Sequence, residues 1–256
     1  YHSFCMEIRK YLWWFSALIF GYATFVAVNM PASSALKLLR PYGITVTRSS
    51  GSLWHGNAVG LRSKELNIET LEWQIHPLNL LIGKLSTDVK AKLTDGVVQG
   101  NISRSLTGQL EINKLSATLP IQTLIGGSQI LKGWSGLLKA DLTHVTLKNE
   151  WPVAIDGRFD LIDLTEPTAA HNLGGFRLSF DPTDNSSTTV IGKFSDLQDA
   201  SLGISGSLKL SGDRNYLLDL YLTPRDITPP SIMSRLKYLG PPDAQGRYPL
   251  SISGTF

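Results

Sequence analysis

Between Tyr11 and Leu36 the chain carries no charged residue, and Tyr11 to Asn29 reads YLWWFSALIFGYATFVAVN. A helix that is apolar on every face has no place at the surface of a soluble fold. At 1.5 Å rise per residue this run reaches about 28 Å, close to the roughly 30 Å of a bilayer hydrocarbon core. Arg9 and Lys10 precede it directly, and positive charge favours the cytoplasmic side. Trp13 and Trp14 fall one turn inside that boundary, where indole rings favour the headgroup level. The expected layout is a cytoplasmic stub over 1–10, a transmembrane helix over 11–30 and an extracytoplasmic domain over 31–256. The rival reading is a cleaved signal peptide, with Ala32-Ser33-Ser34-Ala35 small enough to be cut. The apolar region of a signal is shorter than this one, which favours a retained anchor. Met6 reads as a natural start, which sets Tyr1 to Cys5 apart as upstream residues.

Composition narrows the outer domain. Removing Glu7, Arg9 and Lys10 from the 21 acidic and 24 basic residues leaves the remainder close to balance. No basic run with interleaved aromatics appears, so nucleic acid is not an expected partner. Charged residues make up only 18% of the chain and there are 23 glycines, a mix suited to β-sheet with many turns. The single cysteine, Cys5, lies before the apolar run. The outer domain therefore has no disulfide to draw on, and its stability rests on burial and sheet hydrogen bonds.

After the anchor, Ser33 to Arg40 reads as a short helix stopped by Pro41 and Gly43. From there the period is two. Leu85, Val89, Ala91 and Leu93 alternate with polar residues, as do Leu106, Gly108, Leu110 and Ile112. The same holds for Val153 to Leu161, Phe176 to Phe180, Leu202 to Leu210, Tyr216 to Leu222 and Tyr248 to Phe256. This is the pattern of half-buried antiparallel strands, apolar on one face and wet on the other. One strand changes phase, since Leu138, Ala140 and Leu142 share a face but Val145 and Leu147 take the other. A β-bulge near Thr143 or His144 would return them to one side. Two short helices are expected, one after Pro120 and one over Pro229 to Leu239. The second carries Ile232, Met233, Leu236 and Leu239 as an apolar stripe and is expected to lie across the open end of the sheet, with Phe256 buried in the last strand. An internal echo also appears: Trp54-His-Gly56 followed by Trp73, and Trp134-Ser-Gly136 followed by Trp151, as two copies of one meander unit would give.

Catalytic chemistry finds little support. None of the five histidines stands at a metal-ligand spacing, and no Gly-x-Ser-x-Gly elbow occurs. Gly203 and Gly206 lie within a strand rather than at a strand-to-helix turn, so no phosphate loop is indicated. Asp156 and Asp160 share a face, where two carboxylates can meet a cation, but a solvated sheet face accounts for them as well. No cofactor and no metal is expected.

Four segments together resemble one family. They are Gly51-Ser-Leu-Trp54-His-Gly56; Leu71-Glu-Trp73-Gln-Ile-His-Pro77-Leu-Asn-Leu-Leu-Ile-Gly83-Lys-Leu85; Gly136 to Leu142 with Trp151-Pro152-Val-Ala-Ile-Asp-Gly157; and Leu236 to Gly254 with its Gly240-Pro-Pro and Gly246-Arg-Tyr248. In this order they resemble the N protein of the bacterial type II, or general, secretion pathway. The resemblance implies a non-enzymatic, single-pass inner-membrane component of the machine that exports folded periplasmic proteins, with its main domain in the periplasm and other secretion subunits as partners. It also implies a mainly β fold, an antiparallel curled sheet forming an open trough or half-barrel, as in the AsmA-type envelope proteins. Trp54, Gly56, Trp73, Pro77, Trp134, Gly136, Trp151, Pro152 and Gly157 are the expected structural motif residues, with Gly56 and Gly136 allowing close backbone approach. Arg9, Lys10, Trp13 and Trp14 are the expected anchor residues. A scaffold or adaptor is the first reading. A lipid-holding or lipid-transfer module is the alternative, distinguished by an open apolar trough rather than a closed sandwich. A hydrolase is the third and has no motif behind it.

Overall fold

The computed structural model describes residues 29–37, 43–62, 67–124, 133–167, 171–184 and 189–255, together with 15, 18, 19, 21, 22, 25 and 26. Among the described residues no helix is long and apolar enough to cross a membrane. The stub over 1–10, and with it Arg9, Lys10, Trp13 and Trp14, lies outside the described residues, as does much of 11–30. The described positions from 15 to 29 are helical, and Phe15, Leu18, Tyr22 and Phe25 are exposed. The chain forms two compact units, residues 1–75 and 76–256.

The first unit holds α1 (Ala32–Lys37), β1 (Thr45–Gly51), β2 (His55–Arg62) and β3 (Asn67–His76) up to Ile75, the last residue of β3, His76, belonging to the second unit. The strands form an antiparallel meander in which Gly51 faces Gly56 and Gly56 faces Trp73. Pro31 bridges Ser52, and the Leu53 amide donates to the Met30 carbonyl at 2.8 Å. Ala32 and Ala58 are fully buried. β1 and β2 carry little apolar alternation, which is why their periodicity does not announce them.

The second unit is a ten-strand run: β4 (Lys84–Leu93), β5 (Gly96–Ser105), β6 (Leu110–Pro120), β7 (Ser135–Lys148), β8 (Trp151–Thr165), β9 (Phe176–Phe180), β10 (Thr189–Asp196), β11 (Leu202–Ser211), β12 (Asn215–Pro224) and β13 (Tyr248–Thr255). A short helix α2 (Ile121–Leu124) follows β6, and α3 (Pro230–Leu236) precedes β13. Strands pair in chain order, each antiparallel to the next, and β4 and β13 do not pair with each other. The sheet is therefore open, as expected.

Facing residues of paired strands share a side of the sheet. One row runs Ala91, Val98, Ala117, Ala140, Phe159, Leu178, Phe194, Gly206, Leu220 and Leu250. The neighbouring row on the other side runs Lys90, Gln99, Ser116, Asp141, Arg158, Ser179, Lys193, Ser207, Asp219 and Ser251. Along these rows one face is apolar and the other polar.

The phase change in β7 is a bulge. Register shifts between Leu142 and His144, and β6 compensates at Lys114, whose φ is +52°. Leu142 and Val145 are both buried as a result. Two expectations are corrected. Leu106 and Gly108 belong to the β5–β6 turn, where Gly108 takes φ +85° and Leu106 is 91% exposed. The Trp echo is not a repeat: Trp73 faces Gly56 inside β3, whereas Trp151 opens β8 at the far end from Gly136. Phe256 lies outside the described residues.

Candidate functional site

The apolar face of the second unit is closed differently at its two ends. At one end α3 lies over it. Ile232 and Leu236 join Leu173, Leu202 and Tyr248 in a buried cluster, with Trp134, Leu164, Phe176, Leu222 and Met233 packed around them. Pro230 starts the helix without strain because its missing N–H is an unpaired donor there anyway. Residues of β8, β9, β11, β12 and β13, with Trp134 and Leu173 beside them, meet under this one helix, so α3 covers the end of the sheet as its stripe predicts. Leu239 falls outside the cover, because the helix tightens to a 3-10 turn over Lys237–Leu239 and leaves it 39% exposed.

At the opposite end the sheet curls on itself. The Trp151 indole N–H, at the start of β8, donates to the Ser211 carbonyl at the end of β11 at 2.8 Å. The Arg214 guanidinium donates to the Asn149 carbonyl at 2.9 Å. In a flat sheet strands three apart would be separated by about 14 Å, beyond the reach of an indole. β9 ends early on this side, with Phe180 facing Gly157, whereas β10 reaches Thr189 opposite Ser211, so the curl brings the start of β8 against the β10–β11 pair. Between the two ends Leu178, Phe194, Leu208, Leu218 and Leu250 are only partly buried along the apolar face.

The motif residues fall in separate places. In the first unit Gly56 is buried, and a Cβ there would collide with the Trp73 ring, whose indole N–H donates to the Leu53 carbonyl at 2.9 Å. The Trp54 carbonyl accepts from the Ile75 amide at 2.6 Å. A shallow cleft of about 460 Å³ runs beside this corner, lined by Ser50, His55, Asn57 and Glu72 among others. In the second unit Pro77 opens a 3-10 turn, Pro77–Ile82. Trp134 packs on the α3 cluster with the Arg235 guanidinium 5.9 Å above its ring. Pro152 faces Leu147 beside a register shift. Gly157 takes φ +133°, and a Cβ there would sit 2.6 Å from the Leu142 Cα. Gly136 is less confined, with its nearest neighbour, the Ile162 carbonyl oxygen, at 3.2 Å. Within the second unit Trp134 and Trp151 lie at opposite ends of the sheet.

Two polar arrangements escaped the periodicity. Glu166, just after β8, is 1% exposed; its Oε1 accepts from the Ser231 hydroxyl of α3 and lies 3.1 Å from His171 Nδ1. Among the described residues its Oε2 has no hydrogen-bond partner. The Ser231 hydrogen bond, helped by His171 and the positive field of Arg235, holds its pKa below the ordinary value against the opposing effect of burial. On the polar face a ladder runs from β4 to β7. Asp88 lies 2.6 Å from His76 and accepts from Asn101 at 2.7 Å, Ser103 donates to Ser86 at 2.9 Å, and Asn113 meets His144 at 2.7 Å. The Asn101 hydrogen bond is the main cause of a lowered Asp88 pKa. Among the described residues no group of three His, Cys, Asp or Glu stands close enough to hold a metal. Asp160, the sequence's cation candidate, is instead gripped by Arg177 through contacts of 2.6 and 2.9 Å.

The second unit is thus an open antiparallel β-meander with an apolar face, capped at one end by a helix and pinched at the other. The model of the family described as Type II secretion system (T2SS), protein N matches residues 42–251, and the chain belongs to that family. It is thus a component of the type II secretion system. Among its relatives, Type II secretion system protein N of Vibrio cholerae serotype O1 is 26% identical over 90% of this chain and 93% of its own length. The protein of the same name from Aeromonas hydrophila is 23% identical over 91% of this chain and 94% of its own. No solved structure matches.

Proposed function

We propose that the chain is a non-enzymatic scaffold or adaptor of the type II secretion machinery, supporting export of folded periplasmic proteins across the outer membrane. Residues 11–30 anchor it in the inner membrane, with 1–10 in the cytoplasm and 31–256 in the periplasm. The observation that carries this reading is the family match over residues 42–251. The uncharged run from Tyr11 to Leu36 supports the anchor. Deletion of the chain is expected to retain secreted proteins in the periplasm, with rescue by the full chain. Protease added to spheroplasts is expected to digest 31–256. Secretion at the normal level without the chain, or release of a soluble fragment beginning near Ala35, overturns the corresponding half of the reading.

The partly buried apolar face favours a second reading, in which the trough holds or transfers lipid. Leu178, Phe194, Leu208, Leu218 and Leu250, each only partly buried along one face, are what a lipid-holding trough would present. Mass spectrometry of protein purified in mild detergent separates the two readings. Co-purified secretion subunits without lipid favour the scaffold, and stoichiometric lipid favours the trough.

A further inference from the structure

We propose that Pro77–Ile82 and the β5–β6 turn form a second membrane contact, a set of aliphatic prongs that dip into a lipid bilayer surface. The proposal rests on the anchored reading above. The 3-10 turn buries none of its residues. Leu78, Leu80, Leu81 and Ile82 in it, with Leu85 in β4 and Leu106 in the β5–β6 turn, are all between 45% and 91% exposed. The two segments touch: the Leu106 amide donates to the Gly83 carbonyl at 3.1 Å, and a Cβ at Gly83 would sit 3.2 Å from the Leu106 side chain. Single exposed leucines are ordinary; five leucines and an isoleucine gathered on two touching segments are not.

The occupant follows from shape, chemistry and charge. The patch is convex, made of a tight turn and a hairpin tip rather than a groove, so it inserts instead of receiving. It is wholly aliphatic and offers a partner protein little directional hydrogen bonding, whereas acyl chains ask for none. Residues 77–86 and 103–110 contain Lys84 and Arg104 and no acidic residue. Arg104 is exposed, while Lys84 meets Glu111 at 3.1 Å. Basic residues behind apolar prongs suit an anionic headgroup layer. The patch lies at the end of the sheet opposite α3, and Leu85 carries it onto the apolar face. On a chain already held by its N-terminal run, such a contact is intramolecular and needs only modest intrinsic affinity.

The test uses the full chain with Cys5→Ser, a single new cysteine carrying an environment-sensitive fluorophore, and vesicles of phosphatidylcholine and phosphatidylglycerol. Labels go at Leu81, at Leu106, at Ser116 on the polar face as a control, and at Ala23 in the apolar run. Labels at 81 and 106 are expected to be quenched by spin-labelled lipid and shielded from aqueous iodide, with the Ser116 label doing the reverse. Iodide quenching at 81 and 106 overturns the proposal. So does shielding from both quenchers, which would place the patch against protein. The Ala23 label reports the anchor separately, so loss of lipid quenching there counts against the anchor and not against the prongs.

Discussion

Leu236→Ala tests whether α3 is part of the second unit's fold or only docked upon it. Leu236 is 4% exposed and packs with Leu173, Leu202, Ile232 and Tyr248. Truncation removes about three methylene equivalents at about 0.8 kcal/mol each, or roughly 2.4 kcal/mol. Incomplete collapse of the cavity raises the cost to about 3 kcal/mol. For a unit of this size each kcal/mol lowers Tm by about 2–4 °C, so the expected drop is about 6–12 °C. The full chain in mild detergent is heated while tryptophan emission is followed, and Trp134, under Arg235 and against the α3 cluster, serves as the local reporter. Tyr238→Ala is the control, since Tyr238 is 90% exposed and just past the helix, and its Tm is expected to stay in place. If Leu236→Ala melts with wild type, the helix contributes nothing to the fold and its role as a cover is refuted.

Asp160→Asn is expected to cost about 1–2 kcal/mol at neutral pH, after discounting for the partial exposure of Arg177. The Arg177 hydrogen bond, with the charges of Arg177 and Arg158, holds the Asp160 pKa below its ordinary 3.8. Its stabilisation is therefore complete above that value and lost as pH falls through the folded-state pKa. Urea unfolding should show wild type and variant converging below pH 3.8; a constant gap contradicts the ion-pair account. Gly56→Ala is expected to destabilise the first unit by about 1–3 kcal/mol through overpacking on Trp73, and a neutral result in denaturant melts would show that the ring yields freely. Trp151→Phe keeps an aromatic ring but loses the indole N–H and its hydrogen bond to Ser211, the bond itself being worth about 0.5–1.5 kcal/mol. Faster amide exchange in residues 149–151 and 211–214 is the expected signature, and unchanged exchange would mean the curl does not depend on that bond.

Much of the second unit was legible because a period of two is a local property: each alternating residue declares its face without reference to the rest of the chain. β9, β11 and β12, the α3 stripe and the bulge that realigns Val145 with Leu142 all follow from it. β1, β2, β5 and β10 carry glycine, serine and asparagine where a strand would show apolar residues, and only pairing with their neighbours makes them strands. Leu106 continues the alternation in sequence yet falls in a turn, because the hairpin's length, set by its partner strand, decides where β5 stops. The tryptophan spacing suggested a repeat for the same reason. Spacing fixes neither register nor end, and register put Trp73 against Gly56 but Trp151 at a hairpin tip. Family membership, the antiparallel class and the single apolar face were determined by the order of residues alone. The burial of Glu166 against Ser231, the reach of Trp151 to Ser211 and the meeting of Leu106 with Gly83 join residues far apart in sequence, and no local pattern encodes such distances. They depend on how far the sheet curls, which the sum of many strand twists and bulges decides.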